Sequence, residues 1–275
     1  LEKFTRECIQ NGDHETLEKI IDELCREYAY ALDRPMARNA GLMGLAAVSI
    51  ALGSKYLNKY LDTILPPVLA CFGDQNDQVR FYACESLYNI AKIAKGDMLL
   101  YFNEVFDVHC KIIADSDPSI KAAAEVLDRL MKDIVSECAT THVVRVNNDP
   151  KDAPPATITD PHTGEVLANN EPSYEENESK LAFSLPKFIP LLSERIQAVD
   201  PNTRIFMVGW LQVLENIPDL ELISYLPTFL SGLFTYLGDS HKDVRVITHS
   251  LIDVLLHEVE RVANIQKQLK EHETE

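Results

Sequence analysis

Basic residues are in short supply in this chain. Its 275 residues hold 26 Lys and Arg against 43 Asp and Glu, a formal net charge of −17. Nucleic acid needs a dense cationic surface, and anionic lipid needs a polybasic patch, so the composition argues against both partners. It suits a basic protein partner, or simply a solvated acidic surface. Glycine is scarce, at 10 residues, and proline is ordinary at 14, so low complexity is not the general state. No uncharged apolar run reaches the roughly 18–20 residues of a spanning helix. The chain opens without Met or a charged-then-apolar signal pattern. Leu1, Phe4, Cys8 and Ile9 read as the end of an earlier helix, and the expectation is a fragment of a longer protein.

Chemical signatures are missing too. The six cysteines, at 8, 25, 71, 84, 110 and 138, include no CxxC pair and fall mostly on apolar helical faces. Buried reduced thiols are expected, which fits a cytosolic protein. There is no phosphate-cradling Gly-rich loop, no GxSxG and no HExxH. His249 and His257 are eight residues apart, two helical turns, too far to share a metal unaided. His109 beside Cys110 reads as structural. The expectation is no enzyme, no cofactor and no metal.

What the chain does hold is a repeat. Between Tyr60 and Val135 two helical hairpins follow each other: Leu61–Phe72 with Val79–Lys95, and Leu99–Ala114 with Ile120–Val135. Each corner is followed by a base. Those bases, Arg38, Arg80, Lys121, Arg204 and Arg245, are spaced by 42, 41, 83 and 41 residues. A two-helix unit of about 40–47 residues is the period of HEAT-type solenoids. Prolines keep a second register: Pro186 and Pro227 each precede a base by 18, Pro66 and Pro190 each by 14. Three further pairs follow: Glu15–Ala31 with Pro35–Leu52, Leu185–Ala198 with Pro201–Asn216, and Ile223–Leu237 with Lys242–Ile265. Val79, Ala83, Leu87, Ile90 and Ala94 form one apolar stripe, and Phe81, Cys84, Tyr88 and Ala91 a second. A helix held between its partner and the next repeat needs both. Gly41 and Gly44, one turn apart inside a helix, predict a close helix crossing. Asp77, Asp117, Asp200 and Asp239 are placed to serve the starts of second helices.

The helical period fails between Ala139 and Lys180, where Pro150, Pro154, Pro155, Pro161 and Pro172 accumulate. The domain expectation is therefore repeats one to three over 1–138, an insertion over 139–180, and repeats four and five over 181–275. Val143-Val144-Arg145-Val146 is β-prone. Thr157–Thr159 and Glu165–Leu167 flank Asp160-Pro161-His162-Thr163-Gly164, a hairpin signature. The fold class is all-α: a HEAT-repeat α-solenoid of about five helix pairs with one long proline-rich insertion.

The informative polar series is Asp74 with Arg80, Asp115 with Lys121, and Asp239 with Arg245, each base six residues after its acid. Stacked, these pairs form an ion ladder along the inner face. The equivalent acid positions in repeats one and four are Leu32 and Ala198, so the ladder is interrupted there. Its role is structural, or else the bases line a groove for an acidic or helical partner segment. The partner-binding candidates are Arg80, Lys121, Arg129, Lys132, Arg204 and Arg245.

Several stretches resemble the N-terminal HEAT region of the ArPIKfyve (Vac-fourteen) family. They are Arg38-Asn39-Ala40-Gly41-Leu42-Met43-Gly44-Leu45-Ala46-Ala47, Pro66-Pro67-Val68-Leu69-Ala70-Cys71-Phe72-Gly73-Asp74, and Arg80-Phe81-Tyr82-Ala83-Cys84-Glu85-Ser86-Leu87-Tyr88-Asn89-Ile90. Leu127–Val135, Phe188–Leu192 and Leu237-Gly238-Asp239 match as well, and the insertion resembles that of fungal members. The resemblance implies a non-catalytic scaffold on the cytoplasmic face of the vacuole or endolysosome. It would assemble a PIKfyve-type lipid kinase, which makes phosphatidylinositol 3,5-bisphosphate, with a Sac-type phosphatase and a phosphoinositide-binding β-propeller regulator. It also implies oligomerisation through a C-terminal part absent from this chain. Periodicity alone supports only a protein-binding solenoid; a transport receptor or phosphatase scaffold is the alternative.

Overall fold

In a computed structural model, residues 1–147, 185–217 and 220–273 are described. Regular structure among them is helical throughout, as the 3.6-residue periodicity predicts. Helix α1 (Glu2–Asn11) closes on Gly12, whose φ of +69° is the left-handed cap that glycine adopts freely. Helix α2 (His14–Glu23) starts at Asp13, which accepts from the Thr16 amide at 3.1 Å, and widens into a π turn over Leu24–Ala29. The elements that follow are α3 (Pro35–Tyr56), α4 (Leu61–Ala70), α5 (Asp77–Ala94), α6 (Phe102–Ile112) and α7 (Pro118–Asn147). Beyond residue 184 come α8 (Leu185–Arg195), α9 (Pro201–Glu215), α10 (Leu226–Leu237) and α11 (Lys242–Glu273).

The even-numbered helices α2, α4, α6, α8 and α10 touch in succession and form one layer. The odd-numbered helices α3, α5, α7, α9 and α11 form the other. Each pair buries one stripe against its partner and one against the next repeat. On α5, Val79, Ala83, Leu87 and Ile90 have no exposed surface, and Cys84 and Ala91 of the second stripe are buried as well. Burial of a Leu or Ile side chain contributes roughly 1.5–3 kcal/mol, so these two stripes hold the stack together. All six cysteines are free thiols; five are buried and Cys138 is half-buried.

Gly41 and Gly44 mark the close crossing predicted for them. A Cβ on Gly41 would lie 2.5 Å from the Ala29 backbone nitrogen, and one on Gly44 2.6 Å from Leu24 Cδ2. They let α3 press against the π turn. The stretch Pro35–Lys59 is long and apolar enough, at a mean hydropathy of 1.4, to cross a bilayer by length and composition. Its charged ends, Arg38 and Lys55, leave too short an uncharged run between them, and Leu42, Leu45 and Val48 are fully buried against α1, the π turn and α5. It is a core helix of the stack.

One expectation needs correction here. Helix α7 runs on to Asn147, so the β-prone Val143–Val146 is helical. No Pro or Gly interrupts residues 119–147, and an established helix extends at little cost until a breaker arrives at Pro150. Asp77 opens α5 as expected and accepts from the Gln78 amide at 2.7 Å, and Asn76 before it is the cap, accepting from the Val79 amide at 3.2 Å. The hairpin signature at 157–167 lies outside the described residues.

Candidate partner-binding face

Three of the five corners between the helices of a pair share one turn. Asp74 accepts from the amide of Asn76 (2.8 Å), Asp115 from that of Asp117 (2.9 Å), and Asp239 from that of His241 (2.7 Å). The base six residues on does not meet this carboxylate. At two of these corners it donates instead to the acid's own carbonyl, Arg80 Nη1 to Asp74 O at 2.9 Å and Arg245 Nη1 to Asp239 O at 2.6 Å; Lys121, at the third, makes no such bond among the described residues. Where the acid is missing, the carbonyl bond survives. Arg38 Nη1 donates to Leu32 O at 2.6 Å, and Arg204 Nε to Ala198 O at 2.8 Å.

The carboxylates pair with the preceding repeat. Arg38 Nε lies 2.6 Å from Asp74 Oδ2, and Arg80 Nε donates to Asp115 Oδ2 at 2.6 Å; Arg204, whose Nε holds the carbonyl, pairs with Asp239 through Nη1. The ladder thus runs between repeats, correcting the within-corner pairs Asp74/Arg80, Asp115/Lys121 and Asp239/Arg245. For Asp115, burial acts to raise the carboxyl pKa, but the Arg80 guanidinium and the Asp117 amide outweigh it and hold it below the usual range. Asp239 is lowered chiefly by the His241 amide, with Arg204 adding to it. One arginine fork bonds a carbonyl in its own repeat and a carboxylate in the next, a geometry that lysine cannot reproduce.

The stack continues from repeat three to repeat four. Phe102 and Phe106 of α6, Phe188 of α8, and Phe206 and Trp210 of α9 form an aromatic cluster. Ring centroids lie 4.8 Å apart for Phe106–Phe188 and 5.1 Å for Phe102–Trp210. Asp107 receives Arg195 Nε at 2.7 Å, and Thr203 donates to the Cys110 carbonyl at 3.2 Å. Repeats three and four therefore stack directly.

On the second-helix side of this junction α7 and α9 leave a groove of about 670 Å³. Its floor is Ile205, Phe206 and Val213, and its rim carries Lys121, Glu125, Asp128 and Lys132. Asp128 accepts from Trp210 Nε1 at 2.9 Å and from Lys132 Nζ at 2.7 Å. Lys132 lies 5.7 Å above the Trp210 ring, and a Cβ on Gly209 would come within 2.9 Å of its ammonium.

The structure sorts the sequence-predicted cations accordingly. Arg80 and Arg204 are committed to the ladder, and Lys132 to Asp128 and the aromatic rings. Arg129 is exposed, with Nε 3.4 Å from Glu125 O. Arg245 is held by two carbonyls and meets no carboxylate among the described residues. Lys121, half-buried on the groove rim, makes no hydrogen bond or ion pair among them either. Sequence reasoning missed Arg38 as a ladder member, Asp128 with Trp210, and Gly209. Arg38 was within reach, because its phase was known and only the pairing direction was not.

Fold and face together define an α-solenoid of the HEAT type, whose second helices build one continuous surface. A sequence profile described as the Vacuolar 14 Fab1-binding region matches residues 36–133, which is α3 through most of α7's buried length. Over 270 residues the chain is 64% identical to Vacuole morphology and inheritance protein 14 of Saccharomyces cerevisiae, covering 98% of this chain and 30% of that protein. It is 40% identical to the VAC14 homolog of Schizosaccharomyces pombe, over all of this chain and 33% of that protein. Identity to the homolog of Arabidopsis thaliana is 37%, over 96% and 30%. The chain belongs to the Vac14 family. It spans about 30% of the length of these relatives. Among solved structures, a designed armadillo repeat protein in complex with the peptide (KR)4 aligns over 86% of this chain and 98% of its own. The identity is 13% and the TM-score 0.33, a likeness too slight to carry an argument.

Proposed function

We propose that this solenoid is a non-catalytic scaffold that binds a Fab1-type (PIKfyve-type) lipid kinase through the second-helix face of its first three repeats. The observation that carries it is the placement of the Fab1-binding profile. Residues 36–133 take in α3, α5 and the first half of α7, together with α4 and α6 between them, and the second helices of this block make one continuous surface. Repeat proteins bind partners along extended faces of this kind. On that face the ladder takes Arg38 and Arg80, and Asp128 takes Lys132. Of the partner-binding bases expected in these repeats, Arg129 and Lys121 are left open to a partner. By the family resemblance, the same scaffold gathers a Sac-type phosphatase and a β-propeller regulator at the cytoplasmic face of the vacuole, controlling phosphatidylinositol 3,5-bisphosphate.

The test is capture of the purified kinase by the full-length protein. Arg129→Glu should weaken capture while leaving stability within about 0.5 kcal/mol, as exposed substitutions usually do. Lys132→Glu is a poor probe, because it places a second carboxylate beside Asp128 above the aromatic cluster. No capture by the unaltered protein would overturn the kinase reading.

A further inference from the structure

Among the described residues the ladder has an empty rung. Three junctions are closed by a base of one repeat on an acid of the next: Arg38 on Asp74, Arg80 on Asp115, Arg204 on Asp239. At the junction of repeats three and four the base is Lys121, and the acid position is Ala198. Asp115, within electrostatic reach of Lys121, is already taken by Arg80. The groove of about 670 Å³ opens at this same junction, with Lys121 on its rim and Ile205, Phe206 and Val213 beneath.

We propose that this groove receives a protein segment of the kinase, one carboxylate of which seats on Lys121 in place of the missing Ala198 acid while a neighbouring apolar side chain covers the floor. The inference rests on the kinase reading above and adds the position and chemistry of the contact. Charge selects the occupant. Lys132 is neutralised by Asp128, so among the described residues Lys121 is the one rim cation left, and Glu125 stands one turn along. A single carboxylate balances Lys121, whereas a doubly charged phosphate would meet Glu125 and Asp115 as like charges. The apolar floor asks for a side chain, which a soluble anion does not bring. The other three junctions, each closed internally, show that the stack itself accepts a carboxylate at this place.

Two variants of the full-length protein test this, with the purified kinase as probe. Lys121→Ala should weaken kinase binding about ten-fold and leave the melting temperature unchanged. Ala198→Asp supplies the rung from within, so it should raise the melting temperature and weaken kinase binding together. A merely destabilising change could not produce that combination. If Ala198→Asp neither stabilises nor weakens binding, Lys121 does not face an empty rung and the inference fails. If the unaltered protein binds the kinase and both variants bind equally well, the groove is wrong and the kinase reading stands. If the unaltered protein does not bind the kinase, both fall. Loss of phosphatidylinositol 3-phosphate vesicle binding in Lys121→Ala, with kinase binding kept, would assign the site to lipid phosphate and overturn the protein occupant.

Discussion

At the scale of single residues, the chain depends on where a few polar groups are satisfied. His109 is fully enclosed by the aromatic cluster, 5.0 Å from the Phe206 ring, and its Nε2 lies 2.7 Å from the Ala124 carbonyl. A carbonyl can only accept, so Nε2 carries the proton. Burial lowers the imidazole pKa, more than the nearby Asp128 carboxylate raises it. The folded state thus holds a neutral ring while the unfolded state takes up a proton near the ordinary value of 6.5. This contribution to stability is complete above that value and is lost as pH falls below it, at no more than about 1.4 kcal/mol per pH unit. Denaturant titrations at pH 7 and pH 5 should show the unaltered protein losing stability, and His109→Gln losing up to about 2 kcal/mol less over the same interval. Equal losses would mean that the unfolded state's histidine is not the source.

At the scale of elements, helix period and punctuation were legible in the sequence, and contacts between repeats were not. Val79, Leu87 and Ile90 announce their burial through local spacing, which any helix of that pattern must obey. The six-residue step from Asp74 to Arg80 is also real, but it measures a bond to a backbone carbonyl. The carboxylate contact spans 35 or 36 residues and exists only once the repeats are stacked. Helix α7 overran its expected end because the local preference of Val143–Val146 is weaker than the continuation of a helix already formed. Gly41 was legible as a crossing because a mid-helix glycine is costly without a reason. Gly41→Ala should gain about 1 kcal/mol of helix propensity and still destabilise by about 1–3 kcal/mol, since the new Cβ meets rigid backbone at Ala29. Gly73→Ala, where the Cβ meets nothing within 4 Å, is the matched control and should be near neutral or better in the same thermal melts. Equal behaviour of the two would place the π turn farther from α3.

At the scale of the whole molecule, the junction of repeats three and four decides whether the solenoid behaves as one unit. Residues 148–184 separate α7 from α8 in sequence, and the sequence reading placed an insertion over 139–180 between repeats three and four. The structure joins the two repeats through Phe102, Phe106, Phe188, Phe206 and Trp210, and through the Asp107–Arg195 pair. In a linear stack each repeat is supported by its neighbours, so weakening one interface lowers the cooperativity between the blocks on either side. Phe188 has no exposed surface and sits against both Phe102 and Phe106. Phe188→Ala should cost about 3–5 kcal/mol, and the cost should fall unequally on the two blocks. Repeats four and five carry fewer interfaces and should unfold first, leaving α3 and α5 protected. The chain's single tryptophan, Trp210, lies at this seam with its Nε1 bonded to Asp128, so its fluorescence reports the junction directly. In the unaltered protein the fluorescence and far-ultraviolet transitions should coincide. In Phe188→Ala the fluorescence change should come at lower denaturant than most of the helix loss, and amide exchange should first accelerate in α8–α11. A single coincident transition, merely shifted, would show that the two blocks remain coupled through the second-helix layer, and that the aromatic cluster is one part of a continuous core.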